Sequence, residues 1–214
     1  MSAYRVRFVS AVSCAAMLLC TGGCSGLFSS PEYHEPETYD LGIPEVRQAL
    51  PFPLLIRPFT SDTSARYKML FRKGERLIPD EFARWSRTPS EMLTRYCRIA
   101  FSRSTDHAVG RDGSSHPEFI LTGTVLSFET DVTAKICRLF VKCVLCDTEN
   151  DFRILWSKTY FITVPAVISE KEPGQGAAVA MRQAVENFVR DLEQDLSGFS
   201  LPAAGGKELP SKGK

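Results

Sequence analysis

The sequence predicts one α/β-class (α+β) domain: a mixed, mostly antiparallel sheet of about six strands carrying two main helices. Three observations predict it. Residues 119–130, 133–146 and 152–164 read as consecutive strands, the last two with clear two-residue alternation. Thr88-Pro89-Ser90-Glu91 carries the start signals of a helix. Residues 177–196 place apolar side chains at spacings of three and four along one stripe.

The chain begins with a short basic segment, Arg5 and Arg7, followed by a mostly apolar run over 8–19. That run has the length of a signal-peptide core, roughly 7–15 residues, and falls short of the roughly 20 that span a bilayer as a helix. It closes on Leu18-Leu19-Cys20-Thr21-Gly22-Gly23-Cys24. Gly22 and Gly23 let an extended chain enter a peptidase site. The pattern resembles a bacterial lipoprotein signal, in which the cysteine after the cleavage point is acylated with palmitate-type chains and becomes the new N-terminus. Cys24 fits that lipid-attachment role; Cys20 follows bulky Leu19 and does not. Thr21 stands where such signals usually have Leu. The alternative is an ordinary secretory signal with Cys24 a bystander. In such signals an Asp after the cysteine favours the inner membrane; Ser25 therefore points to the outer one.

The organisation that follows is a signal at 1–23, a tether at 24–38, a domain at 39–197 and a disordered tail at 198–214. Tether-like composition, rich in Pro, Glu, Ser and Tyr, continues to about Pro53. Within it, Tyr39-Asp40-Leu41-Gly42 is expected as a short strand. Residues 54–59 and 66–72 are expected strands, the second with Tyr67, Met69 and Phe71 on one face. Lys73-Gly74-Glu75 is a turn, and 76–78 pairs back as a short strand. The first helix runs from Pro89 to about Ser102, with Met92, Leu93, Tyr96, Ile99 and Ala100 on one face and Arg95, Arg98 and Arg103 on a solvated one. Residues 104–117 form a polar loop. In the strand at 133–146, Cys137, Leu139, Val141, Cys143 and Leu145 share a face. In the next, Phe152, Ile154, Trp156, Tyr160, Ile162 and Val164 share one. Small residues at the start of the last helix allow close approach to the sheet.

The 214 residues carry a net charge of +1, with 43% hydrophobic and 24% charged residues. No strong field points to nucleic acid, and the basic residues form no nucleic-acid module. Cys143-Val144-Leu145-Cys146 looks like a redox motif, but such motifs open helices. In a strand the odd offset puts the two sulfurs on opposite faces, so these cysteines are read as packing residues. His34, His107 and His116 lie in loops without ligand spacing, so no metal or cofactor is expected. Glu129 with Asp131 reads as a turn rather than an acid/base pair. No nucleophile elbow or phosphate loop is present, and nothing supports catalysis. Trp85, between Arg84 and Ser86-Arg87, is expected to pack into the core near Met92 and Leu93, the alternative being an exposed partner anchor.

Taken in order, these features resemble the ABC-type transport auxiliary lipoprotein family, which serves MCE-type lipid transport systems. The resemblance rests on Tyr39-Asp40-Leu41-Gly42, on Arg84-Trp85 ahead of the Pro89 helix, and on Leu121-Thr122-Gly123 with Phe128-Glu129. It continues with Trp156 and Tyr160, and ends on Ala180-Met181-Arg182-Gln183-Ala184-Val185. The family commonly has a second proline before the helix, absent here. The resemblance implies a non-enzymatic accessory protein, anchored by lipid in the outer membrane and facing the periplasm. Its implied partners are a periplasmic MCE protein with its permease and ATPase, and copies of itself in a ring. The rivals are an envelope-assembly lipoprotein, acting on lipopolysaccharide, peptidoglycan or a secretion channel, and a lipid carrier with its own apolar pocket.

Overall fold

The alternating strands build a long curved sheet, and the apolar helix stripes cover one of its faces. A computed structural model describes residues 35–62, 66–105, 118–169 and 171–199. The signal, Cys24, His34, most of the 104–117 loop with His107 and His116, and the tail beyond Phe199 lie outside the described residues. The described residues from Pro36 on form one compact unit. Its strands are β1 (Glu37–Tyr39), β2 (Leu54–Ile56), β3 (Thr60–Ser61), β4 (Lys68–Lys73), β5 (Arg76–Trp85), β6 (Phe119–Asp131), β7 (Ile136–Asp147) and β8 (Arg153–Pro165). Its helices are α1 (Pro89–Ala100), a one-turn α2 (Ser102–Thr105) and α3 (Pro173–Ser197). The sheet runs β1-β5-β4-β6-β7-β8, and β2 and β3 also pair with β6. The long ladders β6–β7, β7–β8 and β4–β5 are antiparallel; the pairings of β1, β2 and β3, and of β4 with β6, are parallel.

The inner face follows the sequence closely. Cys137, Leu139, Val141, Cys143 and Leu145 of β7 have no exposed surface. The α3 stripe Ala177, Ala180, Met181, Ala184, Val185, Phe188, Val189, Leu192 and Leu196 is buried along its whole length against β7 and β8. Close approach at the helix start is real: a Cβ on Gly174 would sit 2.7 Å from the Tyr39 ring and 2.8 Å from Ala83 Cβ. The helix begins at Pro173, a turn earlier than expected, because proline suits the first helical position. Helix α1 starts where predicted. The Thr88 hydroxyl accepts from Glu91 N–H, and the Glu91 carboxylate accepts from Thr88 N–H, at 3.0 Å. In α1 the core position goes to Cys97, fully buried, while Ile99 is half-buried.

Several expectations are corrected. The short strand expected at Tyr39-Asp40-Leu41-Gly42 lies at Glu37–Tyr39 instead, and residues 40–53 hold no strand, yet Leu41, Leu50 and Phe52 are core residues. Buried hydroxyls hold this part of the chain and the stretch after β2: Leu50 N–H donates to Ser104 Oγ at 2.9 Å, and Phe59 N–H to Thr94 Oγ1 at 2.8 Å. The proline-rich composition therefore marks an extended but packed segment, not a continuing tether. Strand β5 is ten residues long rather than three. Pro79 and Asp80 interrupt it without ending it. Asp80 Oδ1 accepts from Phe82 and Ala83 N–H, both at 2.7 Å, and pairing resumes with Lys68 opposite Arg84. Tyr67 precedes β4 and does not share the inner face of Met69 and Phe71; it is half-exposed.

The first half of β8 is the largest correction. Phe152 and Ile154 are exposed, not buried with Tyr160 and Val164. Leu145 pairs with Trp156 but Cys146 pairs with Ile154, so Leu155 is an extra residue. A bulge of this kind reverses the alternation beyond it. Phe152 is not in the strand at all. With Asp151 it forms the centre of a hairpin turn at φ +54° and +56°, closed by Arg153 N–H to Asn150 O at 3.0 Å. Arg98 also departs from expectation: its guanidinium donates twice to Ile56 O, each at 3.0 Å, and ties α1 to β2.

Candidate functional site

No described helix lies on the outer face of the sheet, and a groove of about 950 Å³ opens on it. Its origin is a fork between two strands. Strand β4 pairs with β6 only at Phe71–Thr130 and Arg72–Asp131. Toward its N-terminus β4 leaves β6, whose edge is taken over by β3 at Thr124–Val125. A bulge in β6 falls at the same level. Val125 pairs with Val141 and Ser127 with Phe140, so Leu126 is extra. Before the bulge Leu121 and Val125 face the core; after it Phe128 and Thr130 do, and Ser127, Glu129 and Asp131 face outward. Leu126 is 41% exposed and lines the groove with Leu70 and Phe140.

Strands converge at the closed end, where charges replace apolar contacts. Arg72 donates to both Glu129 oxygens, at 2.5 and 2.9 Å. Arg138 approaches Glu129 at 3.5 Å and donates to Asp131 Oδ2 at 2.7 Å. Both carboxylates are buried. Asp131 also accepts from Ala134 and Thr133 N–H, at 2.8 and 2.9 Å. The Ala134 N–H above all, with Arg138 beside it, holds its carboxyl below the ordinary aspartate range. Asp131 thus shapes the β6–β7 turn, as the sequence indicated. Glu129 does something the sequence did not show: it clamps β4, β6 and β7 together through two arginines. Paired and hydrogen-bonded in this way, the carboxylates stabilise the strand junction.

At the open end lie Arg66, Lys68 and Arg84. Lys68 and Arg84 are register partners across β4 and β5, so two cations stand side by side. Lys68 pairs with exposed Glu81 at 2.9 Å. No residue of the groove except Glu129 was singled out as a candidate from sequence. The available signal was the outward parity of Arg72, Arg138 and Phe140, but Leu126 and the fork depend on a bulge that sequence does not locate.

The cysteines occupy the faces expected of them. Cys143 is wholly buried and Cys146 half-buried on the other side, and among the described residues all four cysteines are free thiols. Burial pushes the Cys97 thiol up to about 12 and the Cys137 thiol up to about 11. Among the described residues no cluster of three His, Cys, Asp or Glu has metal-site geometry. Trp85 is 4% exposed and meets Phe128 edge-on, ring centroids 5.1 Å apart. It is a core residue, packed on Phe128 of β6. No described helix is long and apolar enough to cross a membrane.

No family model and no curated protein matches the sequence. Solved structures do match. Protein XCC0632 from Xanthomonas campestris, of family DUF330, superposes with a TM-score of 0.57 at 19% identity, over 73% of this chain and 92% of that one. An uncharacterized protein superposes with a TM-score of 0.53 at 10% identity, over 74% of this chain and 99% of its own. The chain therefore has the α+β fold of XCC0632. At these identities the likeness extends to the fold alone.

Proposed function

We propose that the chain is a lipid-anchored, non-catalytic accessory protein of an MCE-type lipid transport system. Cys24 carries the anchor, and the domain faces the periplasm from the outer membrane. The periplasmic MCE component docks on the domain, with the permease and ATPase beyond it. The ordered sequence features support this reading. The structural observation that carries it is the outer face beside β8, which no described helix covers. Strand β8 pairs on one side only, with β7, among the described strands. Ile154 and Phe161 stand out from it at 64% and 67% exposure. A long strand with an open edge and exposed apolar side chains is a surface that partners use.

Crosslinking followed by co-purification from envelope membranes tests the proposal. The tagged chain is expected to retrieve the MCE protein, and Ile154→Lys to reduce that recovery while leaving the melting temperature unchanged. Retrieval of lipopolysaccharide-assembly or peptidoglycan-linked proteins in its place would overturn the proposal in favour of an envelope-assembly role. Cys24→Ser is expected to leave an unlipidated precursor and to remove the protein from the outer-membrane fraction; normal lipid labelling of that variant would refute the anchor.

A further inference from the structure

We infer that the outer-face groove is a binding site for an anionic amphiphile, its acyl chain over Leu70, Leu126 and Phe140 and its charged head between Arg66 and Arg84. Shape, apolar surface and charge each support the assignment.

The volume, about 950 Å³, lies at the upper end of the roughly 300–1,000 Å³ typical of small-molecule sites. It is a built feature, made by the divergence of β4 from β6 and by the Leu126 bulge. The floor is apolar where the strands part. Leu126 stays 41% and Leu77 43% exposed. The apolar surface extends past the groove through Phe140, which meets Phe161 edge-on at 5.0 Å between centroids. A hydrocarbon chain laid along this row would cover side chains that now face water.

The charge is lopsided. Five cationic side chains and two carboxylates line the groove, against a net charge of only +1 for the whole chain. The positive end is balanced only in part: Lys68 pairs with Glu81, at 2.9 Å, from outside the groove lining. Glu129 is already committed to Arg72 and Arg138 at the closed end, and the remaining lining carboxylate is Asp62. Lys68 and Arg84 face each other across a strand pair, an arrangement that costs stability when both are charged. Among the described residues neither Arg66 nor Arg84 forms an ion pair. An anionic head placed between Arg66 and Arg84 gives both the partner that neither has, and an arginine fork suits either a carboxylate or a phosphate.

The test uses the full-length chain, extracted in maltoside detergent and irradiated with diazirine-tailed lipids. The probes are phosphatidylglycerol, palmitic acid and the zwitterionic phosphatidylcholine. Adducts are expected on the β6–β7 peptides that contain Leu126 and Phe140. The anionic probes are expected to label there above phosphatidylcholine, by about fivefold for each cation engaged. Labelling by palmitic acid alone identifies a single-chain carboxylate, and by phosphatidylglycerol alone a phosphate head; either supports the site. The double variant Arg66→Glu/Arg84→Glu, both residues at the surface, is expected to bring anionic labelling down to the zwitterionic level. Leu126→Glu is expected to abolish labelling of the groove by every probe. Equal labelling by all three lipids, adducts scattered over the surface, or adducts unchanged in the variants would overturn the inference. The inference does not require the docking proposal: loss of lipid labelling leaves co-purification of the MCE protein unaffected, and the reverse also holds.

Discussion

The two faces of strand β7 are made from one stretch of chain and have opposite fates. On the inner face, Leu139, Val141, Cys143 and Leu145 are sealed under Val185, Phe188, Val189 and Leu192 of α3. On the outer face, Arg138 is held in an ion pair and Phe140 stands beside a groove. Alternation sends neighbouring residues to opposite sides at every step, so what differs is only what covers each side. The inner face is where the domain gains its stability. The outer face spends apolar surface without burying it, which is how a sheet keeps a surface available for binding.

The largest expected contrast comes from truncating an aromatic on each face. Trp85→Ala, on the inner side against Phe128, is expected to cost about 3–5 kcal/mol and to lower the melting temperature by roughly 10 °C. Phe161→Ala on the outer side is expected to fall within about 0.5 kcal/mol of wild type. Equal losses in thermal melts would erase the distinction between the faces.

A finer contrast uses the two cysteines of Cys143-Val144-Leu145-Cys146. Cys143→Ser puts a hydroxyl into a fully apolar site and is expected to destabilise by about 1–3 kcal/mol. Cys146→Ser is expected to change stability by less than about 0.5 kcal/mol. The thiols sharpen this. Burial holds Cys97 near 12 and Cys143 well above its ordinary value. At pH 8 a thiol reagent is expected to modify Cys146 in the native domain and to reach Cys97 and Cys143 only on unfolding. Rapid native labelling of Cys143, read by peptide mass, would show that the inner face opens.

The β7–β8 turn gives a smaller effect of opposite sign. Phe152 holds a positive φ that a bulky side chain adopts only with strain, about 1–2 kcal/mol relative to glycine in the left-handed region. Its ring also sits 5.4 Å from the Arg57 guanidinium, which returns part of that cost. Phe152→Gly is expected to raise the unfolding free energy by the difference, on the order of 1 kcal/mol, and the denaturation midpoint with it. A lowered midpoint would mean that the ring contact outweighs the backbone strain.

The smallest contrast is in pH dependence. Asp131 and Asp147 both have carboxyl groups held below the ordinary range, Asp131 first by the Ala134 N–H and Asp147 first by the Asn150 side chain. A depressed folded-state value means that their contribution is complete above the unfolded value, near 4, and is lost as pH falls below it. Denaturation midpoints are expected to be flat from pH 7 to 5 and to decline below 4. In Asp131→Asn the decline is expected to be shallower. An unchanged acid limb in that variant would remove Asp131 from the account.

Much of the inner architecture was legible because it obeys a local period. The Thr88–Glu91 cap, the α3 stripe and the β7 alternation each depend on residues a few positions apart, and the residues of each take the predicted face, although α3 begins at Pro173 and β7 at Ile136. The opposed faces of Cys143 and Cys146 follow from the same parity. The failures share a cause as well. Where Leu126 and Leu155 are inserted as bulges, the phase of the strand reverses, and a strict alternation assigns Ile154 to the wrong side, while Phe152 falls in the turn. A bulge is fixed by the partner strand, which lies elsewhere in the chain.

The sequence by itself therefore determined the class of fold, the two principal helices and the buried face of the sheet, since hydrophobic periodicity is a property of neighbours. It also presented Glu129 and Asp131 as a pair without saying what they hold. Only the tertiary structure decided that β4 leaves β6 after two residue pairs, that β3 fills the vacated edge, and that a groove opens between them. Arg72 and Glu129 lie 57 residues apart in sequence. Their meeting, and the crowding of Lys68 against Arg84, are set by strand register, which long-range pairing imposes and no local period encodes.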